Sequence, residues 1–153
     1  MTALAHVLGE FGPGVHVWNS DRPASAIRAE AEEIAWRCVF VDCSRVRDKA
    51  QFLEECERSY RFPAYFGHNW DALADCLADL QWLPPPEPGS AGGIMTVFEH
   101  SLVFAQADLD AYSIALEVWE EAAEAWRRIG VPFTVLLRPE APVQPQQPRP
   151  SAV

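Results

Sequence analysis

Phe62-Pro63-Ala64-Tyr65-Phe66-Gly67-His68-Asn69-Trp70-Asp71-Ala72-Leu73-Ala74-Asp75-Cys76-Leu77-Ala78-Asp79-Leu80 decides the reading of this chain. Pro63 and Gly67 interrupt regular structure, Asn69 is suited to cap a helix, and Asp71 falls in the first turn, where the helix dipole favours a carboxylate. Asp71, Asp75 and Asp79 recur every four residues, so each stands one turn beyond the last. At 100° per residue they drift across only about 80° of the helix circumference. Leu73, Cys76, Leu77 and Leu80 cluster on roughly the opposite side. The spacing predicts a helix that docks by its leucines and shows a line of negative charge to water, a surface suited to a cationic partner.

Outward from that stretch, apolar strands alternate with amphipathic helices. Val15–Trp18 alternates and reads as a short edge strand after a loose lead-in over residues 1–14. Asp21-Arg22-Pro23 opens a helix through Ala35. Cys38–Val41 reads as a buried strand, and Asp48 caps a helix carrying Phe52, Leu53, Cys56 and Tyr60. Residues 84–93, with three adjacent prolines and a glycine-rich end, read as a loop. Residues 94–98 form the next strand, and 100–109 is open between strand and short helix. Asp110 starts a long helix to about Ile129, with Ala115, Val118, Trp119, Ala122, Trp126 and Ile129 facing inward and Gly130 as its stop. Residues 133–137 make the last strand, and the proline-rich tail 139–153 is expected to be disordered. The fold class is therefore α/β: a small parallel β-sheet packed with helices, with three central strands (38–42, 94–98 and 133–137) and room for a fourth at the edge over 15–18.

Composition bounds the function. The chain has 153 residues, 49% of them hydrophobic, and a formal charge of −10. That charge opposes nucleic-acid binding and permits fast, salt-sensitive association with a basic protein. No apolar run reaches the length of a membrane span, and residues 1–14 carry Glu10 without Lys or Arg, unlike a secretory signal. A cytoplasmic protein, monomeric when free, is expected. Cys38, Cys43, Cys56 and Cys76 form no Cys-x-x-Cys pair and read as buried thiols; four scattered histidines suggest no metal site, and no cofactor is expected. Enzymatic readings fare poorly: aspartates on an exposed helix offer no cleft, no Gly-x-Ser-x-Gly elbow occurs, and the glycine-rich loop lacks a Gly-Lys-Ser/Thr ending.

Pro63, Tyr65-Phe66-Gly67, Asn69, Asp71-Ala72-Leu73 and Asp75-Cys76-Leu77 resemble the Pro-x-Tyr-(aromatic)-Gly-x-Asn-x-Asp-Ala-Leu-x-Asp-Cys-Leu segment of the barstar family, intracellular inhibitors of a secreted bacterial ribonuclease. The resemblance covers about residues 36–138. It leaves 1–35 as an N-terminal extension and 139–153 as a tail. It implies an immunity-type bacterial protein whose acidic helix and preceding turn plug the active site of a basic ribonuclease or nuclease toxin. Asp75 would stand in for a substrate phosphate, with Asp71 beside it and Tyr65 and Asn69 contributing from the turn. Paired arginines grip a carboxylate through charge-assisted, often bidentate hydrogen bonds, which suits an aspartate to that place. The partner-facing set is Tyr65, Asn69, Trp70, Asp71, Ala74, Asp75, Ala78 and Asp79, with Phe66 read as core. The chain departs from the family at Ala74, where an aromatic is usual, at Ala78, where a threonine is usual, and at Asp79, where a small residue is usual. Ala125 falls at the position of a late-helix acid, with Glu124 next to it. Two readings compete with inhibition: an interaction module that retains the fold without a nuclease partner, and a row of aspartates that is only a solvated face.

Overall fold

The computed structural model describes residues 2–80 and 92–140. In chain order they form α1 (Ala3–Phe11), β1 (Gly14–Val17), α2 (Ala24–Glu33), β2 (Arg37–Asp42), α3 (Lys49–Tyr60), α4 (Trp70–Asp79), β3 (Ile94–Glu99), α5 (Ser101–Ala107), α6 (Leu109–Arg128) and β4 (Phe133–Arg138). The four strands make one parallel sheet in the order β1-β4-β3-β2. β3 and β4 lie inside it and are buried almost throughout, as expected of continuous apolar strands covered on both faces. β1 occupies one edge, as its short alternating pattern suggests. β2, expected among the central strands, closes the other edge and is only partly buried.

Alternation along the inner strands sorts the core into two layers. Ile94, Phe98, Phe133, Val135 and Leu137 join Phe52, Tyr60, Leu73, Leu77, Phe104 and Trp119 on one face. Met95, Val97 and Leu136 join Leu4, Leu8, Trp18, Ile27 and Ala31 on the other. The β1–β2 crossover runs along the sheet in the opposite sense to the two that follow. Right-handed connections therefore carry α2 to the face opposite α3–α6.

Several expectations shift. Residues 1–14 are not a loose lead-in: α1 forms there, capped by the Thr2 hydroxyl, which accepts from the Ala5 N–H at 2.9 Å, and it buries Leu4 and Leu8. Its two buried leucines lie one turn apart, too brief a pattern to register as a period. The helix expected from Asp21 to Ala35 is Ala24–Glu33, with Pro23 at its N-cap. The ambiguous stretch 100–109 holds the short helix α5, and Asp108 caps α6 by accepting from the Ala111 N–H. Ile129, expected inward, is 70% exposed because α6 ends at Arg128. Gly92 meets the α2–β2 connection so closely that a Cβ there would lie 1.9 Å from the Ala35 carbonyl oxygen, so this point of entry to β3 needs glycine. Most of the expected loop (84–91) and of the expected disordered tail (141–153) lies outside the described residues.

Candidate functional site

The chain leaves α3 through Arg61, which adopts the left-handed conformation (φ 56°) and turns the backbone toward α4. An aromatic series fixes the turn from beneath. The Tyr60 and Phe62 rings stack at 5.3 Å, Phe62 meets Phe66 at 4.8 Å, and Phe66 meets His68 at 4.8 Å. Phe66 is buried, as read from the sequence, and its N–H donates to the Pro63 carbonyl. Burial of these rings pushes Tyr65 outward, where it is 75% exposed. His68 also sits in the left-handed region (φ 52°), and its Nε2 lies 3.1 Å from Glu57 Oε1 on α3.

Asn69 ends the turn and begins the helix. Its side-chain oxygen accepts from the Ala72 N–H at 2.7 Å, and its amide donates to the Gly67 carbonyl at 3.3 Å. One side chain thus satisfies an orphan donor of the first turn and closes the preceding loop. α4 then buries Leu73, Cys76 and Leu77. The Trp126 indole N–H on α6 donates to the Leu77 carbonyl at 2.8 Å, taking up an acceptor that the end of α4 leaves unpaired. The helix is held by its apolar side, its N-cap and this indole, so its outer face has a defined direction.

That outer face carries Asp71, Asp75, Ala78 and Asp79, all exposed, with Ala74 half-buried beside them. Among the described residues no ion pair engages any of the three aspartates; the cations that pair do so elsewhere, as Arg58 with Glu55 or Arg127 with Glu124. The negative field reaches inward: the Cys76 thiol is pushed above its ordinary range by burial and then by the Asp75 and Asp79 carboxylates. Trp70 faces a different way. Its ring centroid lies 6.2 Å from that of Phe52, and Lys49 Nζ sits 5.4 Å above the ring. It is half-buried and anchors the start of α4. Ala125 is exposed near the end of α6, and Glu124 is engaged with Arg127 and Arg128.

The turn and helix thus bring Tyr65, Asn69 and the aspartates onto one continuous stretch, whereas Trp70 belongs as much to the core. Sequence reasoning did not anticipate the His68–Glu57 brace or the bond from Trp126 to α4. Neither partner pair falls at a helical or strand spacing, so no periodic signal marks it. Among the described residues there is no cluster of three or more potential metal ligands, and no helix is long and apolar enough to cross a membrane.

A family model described as Barstar (barnase inhibitor) matches residues 36–138, two thirds of the chain and all of the turn and acidic helix. The chain belongs to the barstar family. Barstar-family proteins are inhibitors rather than enzymes, and the proteins they bind are ribonucleases. A comparison with curated proteins gave no match. Residues 2–35, which build α1, β1 and α2, precede the barstar match.

Proposed function

We propose that this chain inhibits a basic ribonuclease or nuclease toxin by inserting the outer face of α4 into the enzyme's phosphate-binding site. One observation carries the reading: within the barstar-matched region, a rigidly seated helix presents Asp71, Asp75 and Asp79 to water with no ion-pair partner among the described residues. A nuclease that binds RNA must offer cations where phosphates sit. A carboxylate held there accepts the same charge-assisted hydrogen bonds and excludes the substrate. Asp75 takes the central place, Asp71 and Asp79 extend the charge by one turn on either side, and exposed Tyr65 lies against the rim. Asn69 holds the turn and helix in one geometry, so little ordering cost remains to be met on binding. Ala74 and Ala78 make the face beside the acids flat, and Trp70 contributes through the seat of the helix. The barstar-matched part carries nine Lys/Arg against sixteen Asp/Glu, which steers a basic partner toward it. The free protein acts in the cytoplasm as a monomer.

The test is a titration against barnase, with inhibition of RNA cleavage as readout. Asp75→Ala should weaken binding by about 2–5 kcal/mol, a range set by buried interfacial charge pairs, the family's namesake complex among them. Added salt should slow association more than it speeds dissociation. Inhibition that survives Asp75→Ala unchanged would remove the phosphate-mimic role. The flat alanine pair favours one second reading, a non-inhibitory interaction module. Salt-independent capture of neutral or acidic proteins alone would select it.

A further inference from the structure

Residues 2–35 lie before the barstar match, yet they cover the inner strands of the sheet on one face. Met95, Val97 and Leu136 are fully buried there against Leu4, Leu8, Trp18, Ile27 and Ala31. β1 adds a fourth strand to β4 over four residues, and Glu120 on α6 accepts from the Val15 N–H at 2.7 Å. The most consequential contact is at the end of β4. The Arg138 side chain is 1% exposed and paired with Glu99 through two of its nitrogens. Its third nitrogen donates to the backbone carbonyls of Ser20 and Arg22, and the Trp18 ring lies 5.7 Å from the guanidinium.

We infer that residues 2–35 and the barstar-matched part form a single cooperative unit, coupled through Arg138, so that the acidic helix on one face of the sheet depends on the N-terminal segment on the other. A buried guanidinium needs acceptors for its donors. If the segment detached, Arg138 would lose two carbonyls and an aromatic face, while Met95, Val97 and Leu136 would meet water. β1 and β4 would lose their support, and with them the seat of α6, the helix against which α4 packs and whose Trp126 holds the Leu77 carbonyl. Loosening α2 therefore loosens α4, although the two helices lie on opposite sides of the sheet. This is a conformational device that the barstar match by itself does not contain.

Native-state hydrogen exchange on the full chain tests it, with thermal unfolding in parallel. In the unaltered protein the most protected amides of α2 and of α4, those of Leu73 and Leu77 included, should open in one step. Arg138→Lys, which keeps the charge but not the fork, should speed exchange in both helices by the same factor, at least tenfold, and leave one thermal transition. Leu8→Ala, remote from Arg138 but in the same layer, should do the same and serves if Arg138→Lys does not fold. Faster exchange confined to α1, β1 and α2 with α4 unchanged would overturn the inference, as would two separate thermal transitions. Both readouts are independent of nuclease binding, so they stand apart from the proposed function.

Discussion

Asn69 shows how one residue can serve the fold and the proposed interface together. Its oxygen caps α4 and its amide closes the turn onto Gly67. Asn69→Ala leaves the Ala72 N–H to water and should lower stability by about 1 kcal/mol, measured as a shift in the urea midpoint at constant slope. Asn69→Asp keeps the acceptor and adds a charge favoured at a helix N-terminus, so most of that stability should return. This cap was legible in the sequence, because an asparagine two positions before an aspartate and ahead of an amphipathic run is a local pattern with a local cause. The His68–Glu57 contact was not, because it depends on how the α3–α4 turn brings two elements together. Trp70 was legible only in part: its place at the start of the helix could be read, but its packing on Phe52 beneath Lys49 could not.

Helix ends separate two effects that local reading alone would merge. α3 and α4 both finish on a non-glycine residue in the left-handed region, Arg61 at φ 56° and Leu80 at φ 47°. Backbone sterics favour glycine at each. Arg61 is exposed, so Arg61→Gly should stabilise the protein by about 0.5–1 kcal/mol, the relief of strain reduced by the added freedom of the unfolded chain. Leu80 is fully buried, and removing its side chain opens a cavity that costs about 2–5 kcal/mol. Packing outweighs strain there, and Leu80→Gly should destabilise. Thermal unfolding of the two variants should show shifts of opposite sign; a gain for Leu80→Gly would mean that its burial contributes little. Ile129, which sequence periodicity placed inward, is exposed for another reason. The helix stops one residue earlier, and Gly130, with φ 81°, turns the chain toward β4 before that face returns to the core.

Across the whole molecule, two apolar layers enclose a sheet whose inner strands have no wet face, and that burial sets a pH response. The Cys43 thiol is pushed from the ordinary 9.0 up to about 12, first by burial and then by the nearby carboxylates of Asp42, Glu55 and Glu99. The unfolded thiol ionises above pH 9 while the folded one stays protonated. Its contribution is therefore fully present below pH 9 and is lost as pH rises from 9 toward 12. The melting temperature should fall through that window, and Cys43→Ala should make the fall shallower; identical profiles would show that this thiol does not sense the fold. The α/β class, the helix caps at Asp48 and Asn69, the apolar strands and the exposed line Asp71-Asp75-Asp79 could be read along the chain alone, because each follows from spacing and chemistry within a few residues. The tertiary structure alone decided that β2 lies at an edge, that α1 exists and covers the sheet, that Trp126 holds α4, and that Arg138 ties the N-terminal segment to β3 and β4. Those outcomes rest on contacts between residues tens of positions apart, and their free energy appears only when the chain has closed around its core.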